Sequence, residues 1–485
     1  MVQLGRNVLK NSIYNSSGTL ITSATGLIIT VLLARLLSPE EYGLFYLALS
    51  VGFLLLTFTD LGINATLIRY VSHAIGNNEE KLARSYFKYL FRFNLLLTLF
   101  VSITLIILAE PLAVYVFDKP SLYLPLVVVG FFVLFTSLRN FFRCAFIAFH
   151  EFKYNMVNFI TYECLRLVFI PAFVFLGYAV FGAMVGVCLS SLGALLVLLY
   201  LLVKKHTFLF KRDVVEIDRK KILRFLGFLT IGSISGVIFA YIDSIMIGIF
   251  LPAESVGFYR IGFNIVFAVA GLISIANVLF PVFTQLEGSE LRGAFNKVFK
   301  YSMVFSFPFA LGLIFVSENL VKLVFGIEYL PAAVPMQFLS LIVLIATTSG
   351  FFTNILNAKE EPEYAAAITI ISMSMNVLLN YFLILEYGVM GAAMATVISR
   401  YFNFVALVYI SKKVLDIFPG WASFYKPIFS SIGMVAFLYL IPSPDTLFIG
   451  IAEVMVGGII YITVLFLIKG LSMEDLKYFR EIIGI

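Results

Sequence analysis

Tyr178-Ala179-Val180-Phe181-Gly182-Ala183 recurs 209 positions later as Tyr387-Gly388-Val389-Met390-Gly391-Ala392. The same register pairs Ser190 with Ser399 and Tyr200 with Tyr409. A second pair lies upstream of each copy. Leu37-Ser38-Pro39-Glu40-Glu41-Tyr42-Gly43-Leu44-Phe45-Tyr46 resembles Leu251-Pro252-Ala253-Glu254-Ser255-Val256-Gly257-Phe258-Tyr259 once one inserted residue is allowed. Small residues at helix starts are common in membrane proteins because they let helices approach closely. Two matches in the same chain order nevertheless point to an internal duplication.

Composition supplies the medium in which the copies fold. Of 485 residues, 61% are hydrophobic and 13% charged, against roughly 45–50% and about 25% in soluble domains. That balance excludes a soluble enzyme, a nucleic-acid-binding protein and a secreted disulfide scaffold. It fits about fourteen membrane helices at about 35 residues per span. Apolar runs place them near 12–37, 43–68, 89–109, 122–140, 154–175, 179–203, 225–250, 257–283, 300–317, 333–357, 364–385, 388–410, 427–442 and 446–468. The first run is too long for the apolar part of a signal peptide and has no small-residue cleavage site after it, so it reads as a retained span.

Cationic residues set the orientation, because cytoplasmic loops are enriched in Lys and Arg. With the amino terminus inside, 28 of the 34 Lys and Arg residues fall in inner segments and only Lys119 and Lys322 outside. Arg35, Arg166, Arg260 and Arg400 stay within or at the ends of spans. The expectation is a multi-pass protein of the cell (plasma or inner) membrane with both termini cytoplasmic. The duplication then gives an all-α fold of two pseudo-symmetric six-helix lobes plus two C-terminal helices. Residues 1–203 form the first lobe, 204–224 a cytoplasmic amphipathic linker, 225–410 the second lobe, and 411–485 spans 13 and 14 with a cytoplasmic tail. The linker interleaves eight Lys and Arg with Phe208, Leu209, Phe210, Val214, Val215 and Ile217, which predicts an interfacial helix on the anionic inner leaflet. Parallel six-helix repeats suit a transporter that binds substrate between its halves and rocks them.

Polar residues inside the spans are the candidate site, since they are costly against lipid. Ser16, Thr19, Ser23, Gly26 and Thr30 share one face of span 1, either a cavity wall or a small-residue helix contact. Ser372, Asn376 and Asn380 lie four apart on span 11, with Asp243 on span 7 and Thr396 on span 12. Such oxygen ligands suit Na⁺ or a proton relay, while scattered interhelical hydrogen bonds would use the same residues. Arg166 and Arg400 lie near mid-depth, where a guanidinium needs an anion or water. Glu163, three residues before Arg166, offers a simple ion pair, whereas span 12 has no acid to accompany Arg400. Arg35 and Arg260 lie near outer helix ends and are expected to snorkel. Asp60 and Arg69 on span 2, with Arg139 and Arg143 on span 4, cluster toward the inner face as a cationic entrance or as topology signals. Cys144, Cys164 and Cys188 sit in apolar runs without zinc-ligand spacing and read as small buried hydrophobes. No metal site beyond the candidate Na⁺ site and no cofactor is expected.

With these residues in view, the chain resembles the polysaccharide and lipid-linked oligosaccharide flippases, of the superfamily that also holds multidrug exporters and peptidoglycan-precursor flippases. Ala34-Arg35-Leu36-Leu37-Ser38-Pro39-Glu40-Glu41-Tyr42-Gly43, Thr59-Asp60-Leu61-Gly62 with Arg69, and Gly391-Ala392-Ala393-Met394-Ala395-Thr396 carry the resemblance. It implies alternating access and the movement of a prenyl-phosphate- or pyrophosphate-linked glycan to the outer leaflet. Membrane lipids and polysaccharide polymerase or glycosyltransferase machinery would be the partners. The substrate site is expected among the intramembrane residues read above, Arg166, Arg400, Arg35, Arg260, Arg69, Asp60 and Glu163. The sodium-site pattern of the peptidoglycan-precursor group is matched by Asp243, Asn376, Asn380 and Thr396, although Asn380 stands where a carboxylate would bind the ion more tightly. That group's paired arginines on spans 1 and 2 are missing, which disfavours peptidoglycan precursor as cargo. The alternatives are a multidrug cation exporter of the same fold driven by Na⁺ or H⁺ antiport, and a membrane glycosyltransferase, for which the outer loops are too short. No phosphate-binding Gly-rich loop supplies hydrolysis, so an ion gradient or the membrane potential is the expected driving force.

Overall fold

The computed structural model describes residues 18, 21–273, 288–359, 361–418, 420 and 422–471. All regular structure among these residues is helical. Nine of the described helices are long and apolar enough to cross a membrane, which makes this an all-α, multi-pass membrane protein. Two compact units divide the chain, Met1–Arg260 and Ile261–Ile485. Ser16 and Thr19 lie outside the described residues.

The first unit begins with α1 (Ile21–Leu36) and α2 (Pro39–Asp60). Their junction is built by a capping box. The Ser38 hydroxyl accepts from the Glu41 amide at 3.3 Å, and the Glu41 carboxylate accepts from the Ser38 amide at 2.9 Å. Pro39, which needs no amide partner, takes the first helical position. Span 2 was expected to run unbroken from 43 to 68, but it stops at Leu61 and Gly62, both left-handed (φ 42° and 78°), and resumes as α3 (Ile63–Gly76). Glycine takes that conformation at no steric cost, so the Thr59-Asp60-Leu61-Gly62 stretch is a helix break. There follow α4 (Glu80–Pro111), extended by a wider turn to Val116, then α5 (Tyr123–Ala148), α6 (Phe152–Phe173), α7 (Ala179–Lys205) and α8 (Arg219–Phe250).

Helices α6 and α7 form a tight hairpin. The turn uses Gly177 (φ 88°) and then Ala179, at φ 42° and ψ −128°. Gly182 and Gly186 let the two helices touch: a β-carbon on either would stand 2.8 Å from the backbone of Phe173 or Ile170. In the second unit the repeat-related segment is α13 (Pro362–Leu415), in which Gly388 adopts φ 60° and ψ −137°. Gly388 is the sequence equivalent of Ala179. Gly391, equivalent to Gly182, lies directly against the carbonyl of Leu383. The duplicated hexapeptide thus encodes the same reversal twice.

The rest of the second unit comprises α10 (Gly288–Leu320), continued by a wider turn to Phe325, α11 (Ala333–Ser340), α12 (Val343–Ala358), α14 (Ala422–Leu440) and α15 (Leu447–Leu467). Helix α9 (Ala253–Ile273) crosses the boundary between the units. The short expected span 300–317 is therefore part of a 33-residue helix. Its charged first turns hid its length.

The duplication also shows in the cores. In the first unit Phe87 and Phe91 of α4 pack on Phe141 of α5, with ring centroids 5.4 and 5.5 Å away. In the second, Phe295 and Phe299 of α10 pack on Phe352 of α12 at 5.1 and 6.4 Å. Within the first unit, Gly43 of α2 meets the backbone of Ala253, and Gly257 of α9 lies against Tyr42 and Pro39. Those two glycines are the aligned positions of the upstream repeat.

The linker departs from expectation. Instead of an interfacial helix it makes one short turn, Thr207–Phe210, followed by irregular chain up to Arg219. Helix α4 holds it there: Arg84 Nη1 donates to the Asp213 carbonyl at 2.9 Å, and the Val215 amide donates to Ser85 Oγ at 2.8 Å. Satisfying backbone groups locally removes the need for a helix. Among the cysteines, Cys144 and Cys188 are buried as expected, while Cys164 is exposed on the helix surface.

Candidate functional site

The break after Asp60 creates the first polar cluster. An Asp60 oxygen accepts from the Asn64 amide at 2.9 Å and so caps α3. The carbonyls freed at the break find new donors: Asn94 Nδ2 donates to Thr59 O at 3.0 Å, and Thr230 Oγ1 to Leu61 O at 2.9 Å. Asn94 also donates to Ser137 Oγ, which is 2.7 Å from Thr98 Oγ1. Thr136 and Ser191 pair at 2.8 Å. Irregular backbone at membrane depth persists only where such donors and acceptors satisfy it.

The second cluster is cationic. Arg139 of α5 is buried and lies 3.8 Å over the Tyr162 ring. Arg166, one turn along α6, lies 5.3 Å from the same ring and donates to Glu163 at 3.0 Å. Arg143 donates to Asn155 Oδ1 at 3.5 Å and acts electrostatically on Asp60. Three guanidinium groups thus face two carboxylates, Asp60 and Glu163, all held on apolar helices. Arg166 meets the partner its sequence spacing offered. Removing either member of such a pair leaves the other charge uncompensated.

Sequence reasoning missed the ring and the amides of this cluster. Asn155, Asn158, Tyr162 and Arg166 follow at intervals of three, four and four, which is one polar face of α6. Asn155 and Asn158 are both buried. That periodicity was the available signal.

The remaining arginines divide by environment. Arg260 does not snorkel: at 4% exposure it donates to Ser50 at 2.9 Å and lies 5.0 Å over Tyr241, which stacks on Phe53. Its guanidinium is held by a hydroxyl and a ring inside the first unit. Arg35 is exposed on α1. Arg69 is also exposed and lies 4.5 Å over Phe225. Thr30 bonds back to Gly26 O at 2.8 Å and lies 3.0 Å from Tyr46 Oη, so that part of the span-1 polar face serves a helix contact.

Asp243 belongs to the first unit, where it is buried and accepts from Tyr259 Oη at 2.6 Å. Asn376, Asn380 and Thr396 belong to the second and are fully buried. Asn380 Nδ2 donates to Asn376 Oδ1 at 3.2 Å, and Thr396 Oγ1 to Ala392 O at 3.0 Å. Arg400 lies 4.7 Å over Phe267 in the same unit. Among the described residues there is no group of three or more His, Cys, Asp or Glu side chains able to hold a metal. An alkali-ion site made of one carboxylate with amide and hydroxyl oxygens would not form such a group.

A different surface lies at the end of the second unit. Helices α10, α14 and α15 enclose an apolar cleft of about 590 Å³, with Phe305, Phe309, Met434, Val454 and Ile462 among its walls. Tyr461 donates to Val304 O at 2.6 Å and closes one side.

Comparison with known proteins agrees with the fold. The polysaccharide biosynthesis protein family matches residues 8–287. An uncharacterized membrane protein of Methanocaldococcus jannaschii is 24% identical over 94% of this chain and 94% of its own. The probable low-salt glycan biosynthesis flippase Agl15 of Haloferax volcanii is 27% identical over 55% of this chain and 58% of its own. The lipid II flippase MurJ, in an inward closed conformation, superposes with a TM-score of 0.77 at 17% identity, covering 94% of this chain and 98% of that one. The chain belongs to the polysaccharide biosynthesis protein family.

Proposed function

We propose that this member of the polysaccharide biosynthesis family is a flippase that carries a prenyl-phosphate- or pyrophosphate-linked oligosaccharide from the inner to the outer leaflet by alternating access. The observation that carries the reading is the cluster of Arg139, Arg143 and Arg166 against Asp60 and Glu163 inside a multi-pass membrane unit. Guanidinium groups are the side chains best suited to phosphate, and in the bilayer they persist only in a wet or paired interior. The named relatives that move glycans or lipid-linked precursors point to the same cargo class.

The architecture behind this proposal has fourteen spans in two six-helix lobes, 1–203 and 225–410, joined by the linker 204–224 and followed by 411–485. Each hairpin, 152–205 and 362–415, counts as two crossings, and 21–36, 219–250 and 253–273 supply three more. In this reading both termini are cytoplasmic in the cell membrane, and glycosyltransferase or polymerase machinery makes and consumes the cargo. Within the second unit, the apolar cleft between α10, α14 and α15 suits a hydrocarbon chain such as a prenyl tail. Asp243, Asn376, Asn380 and Thr396 form the proposed Na⁺ or H⁺ coupling set, and Arg35, Arg69, Arg260 and Arg400 complete the proposed substrate set.

Thermal unfolding of purified protein tests the cargo class. Prenyl-pyrophosphate-linked oligosaccharide should raise the unfolding temperature of the parent and fail to do so in Arg139→Gln. Stabilisation by a lipophilic cation instead would move the protein to the multidrug-export class.

A further inference from the structure

The linker lies over one face of α4 and leaves a cleft of about 860 Å³ between them. From α4 the cleft is lined by Lys88 and Arg92, which lie four apart on one helical face, and by the adjacent Tyr89. From the linker and the first turn of α8 it is lined by Arg212, Arg219 and Lys220. Two acids, Glu216 and Asp218, line it as well. Asp218 is occupied as the cap of α8, accepting from the Lys221 amide at 3.0 Å. Five cations against two acids leave a surplus of three positive charges.

Within the described residues, Arg92, Arg212, Arg219 and Lys220 form no salt bridge. Lys88 Nζ is directed to the Lys211 carbonyl and Arg219 lies 5.8 Å over Tyr89, so the linker is seated by the cleft's own side chains. Arg84 and Ser85 fix its backbone from the neighbouring turn. The two walls come from segments more than a hundred residues apart, and together they contribute more cations than the two acids offset. Like charges brought together this way repel, and a bound phosphate removes that cost while bridging helix and linker.

We infer that this cleft is a phosphate-binding site, distinct from the transport cluster, in which Lys88 and Arg92 of α4 and Arg212, Arg219 and Lys220 of the linker hold one phosphate-bearing group. The ligand is the phosphate of an anionic lipid headgroup or a soluble phosphate ester or pyrophosphate. Its volume falls within the roughly 300–1,000 Å³ of small-molecule sites. Occupancy fastens the linker to α4. The site does not depend on the identity of the transported glycan.

The test uses the full chain in nanodiscs and reads amide hydrogen exchange across residues 211–218. One series titrates inorganic pyrophosphate into phosphatidylcholine discs, and another replaces phosphatidylcholine progressively with phosphatidylglycerol. Exchange should slow in at least one. Slowing by pyrophosphate in neutral discs assigns a soluble ligand, and slowing by phosphatidylglycerol alone assigns a lipid headgroup. The double variant Arg92→Gln/Lys220→Gln should raise the half-saturating concentration about 25-fold, from about fivefold per cation near an anionic phosphate. The double variant Lys204→Gln/Lys205→Gln removes the same charge from the same linker outside the cleft, where salt screens it from the bound phosphate, and should shift it less than about threefold. All four side chains are at least partly exposed, so both variants should fold like the parent. No slowing by either anion, or equal losses in the two variants, would overturn the site. Neither result bears on glycan transport.

Discussion

Reciprocal substitution at the two hairpin turns gives opposite stability changes if the duplicated hexapeptide encodes one backbone reversal. Ala179 (φ 42°, ψ −128°) and Gly388 (φ 60°, ψ −137°) share a conformation that is essentially restricted to glycine. Holding an alanine there costs about 1–3 kcal/mol. Ala179→Gly removes that cost but frees the unfolded chain, which returns about 0.4–1 kcal/mol. The net gain is about 1–2 kcal/mol. Gly388→Ala should lose a similar amount, and through the backbone alone, since apart from the adjoining chain nothing lies within 4 Å of where its β-carbon would stand. For units of this size, 1 kcal/mol moves the unfolding midpoint by about 2–4 °C. The assay is thermal unfolding in detergent at a fixed scan rate, because membrane proteins often unfold irreversibly. Ala179→Gly should raise the midpoint and Gly388→Ala should lower it. Shifts of the same sign, or no shift at Gly388, would refute the shared reversal.

Other substitutions address the packing and the polar clusters. Gly43→Ala places a methyl group against the backbone of Ala253, and unfolding should show a loss near the top of the overpacking range, about 3 kcal/mol. Glu163→Gln strands the Arg166 guanidinium. It should destabilise by up to about 3 kcal/mol, and adding Arg166→Gln should restore stability in part without restoring transport. Tyr259→Phe deletes the hydrogen bond to Asp243 and should cost about 1.5–3 kcal/mol by chemical denaturation. Sodium-dependent stabilisation of the parent should vanish in Asp243→Asn, and absence of any sodium effect in the parent would end the proposal of a sodium site. Outside the membrane, Lys119 donates to Gly248 O at 2.8 Å, and burial lowers its amine below the usual lysine value. Lys119→Met should cost about 1–3 kcal/mol by leaving that carbonyl unmet, measurable as faster proteolysis of the loop.

Much of the fold was legible because hydrophobic runs and glycine spacing report directly on helices in lipid. The hexapeptide at 178–183 and its copy at 387–392 predicted a repeated helix start, and both turned out to be hairpin turns of one conformation. Interruptions were harder to see. Leu61 and Gly62 break span 2 without any polar run to announce it, because side chains elsewhere, buried Asn94 and half-buried Thr230, satisfy the freed carbonyls. The linker looked helical by amphipathicity, yet hydrogen bonds to Arg84 and Ser85 hold it in an irregular path, and no local pattern records those distant partners. Among site residues, the Glu163–Arg166 pair followed from spacing alone. Arg260 did not: its position near an outer helix end suggested a solvent-seeking cation, while Ser50, 210 residues earlier, gives it a buried partner.

Leaflet exchange in proteoliposomes measures the proposed activity without the cell's biosynthetic machinery. Vesicles carrying purified protein and a fluorescent prenyl-pyrophosphate-linked oligosaccharide in both leaflets are exposed to a membrane-impermeant glycosidase. With active protein the inner-leaflet pool should become cleavable as it crosses, so that digestion runs to near completion. Vesicles with Arg139→Gln or no protein should stop at the outer-leaflet half. Parent vesicles that also stop at half, under an imposed sodium or proton gradient and membrane potential of either sign, would contradict a flippase.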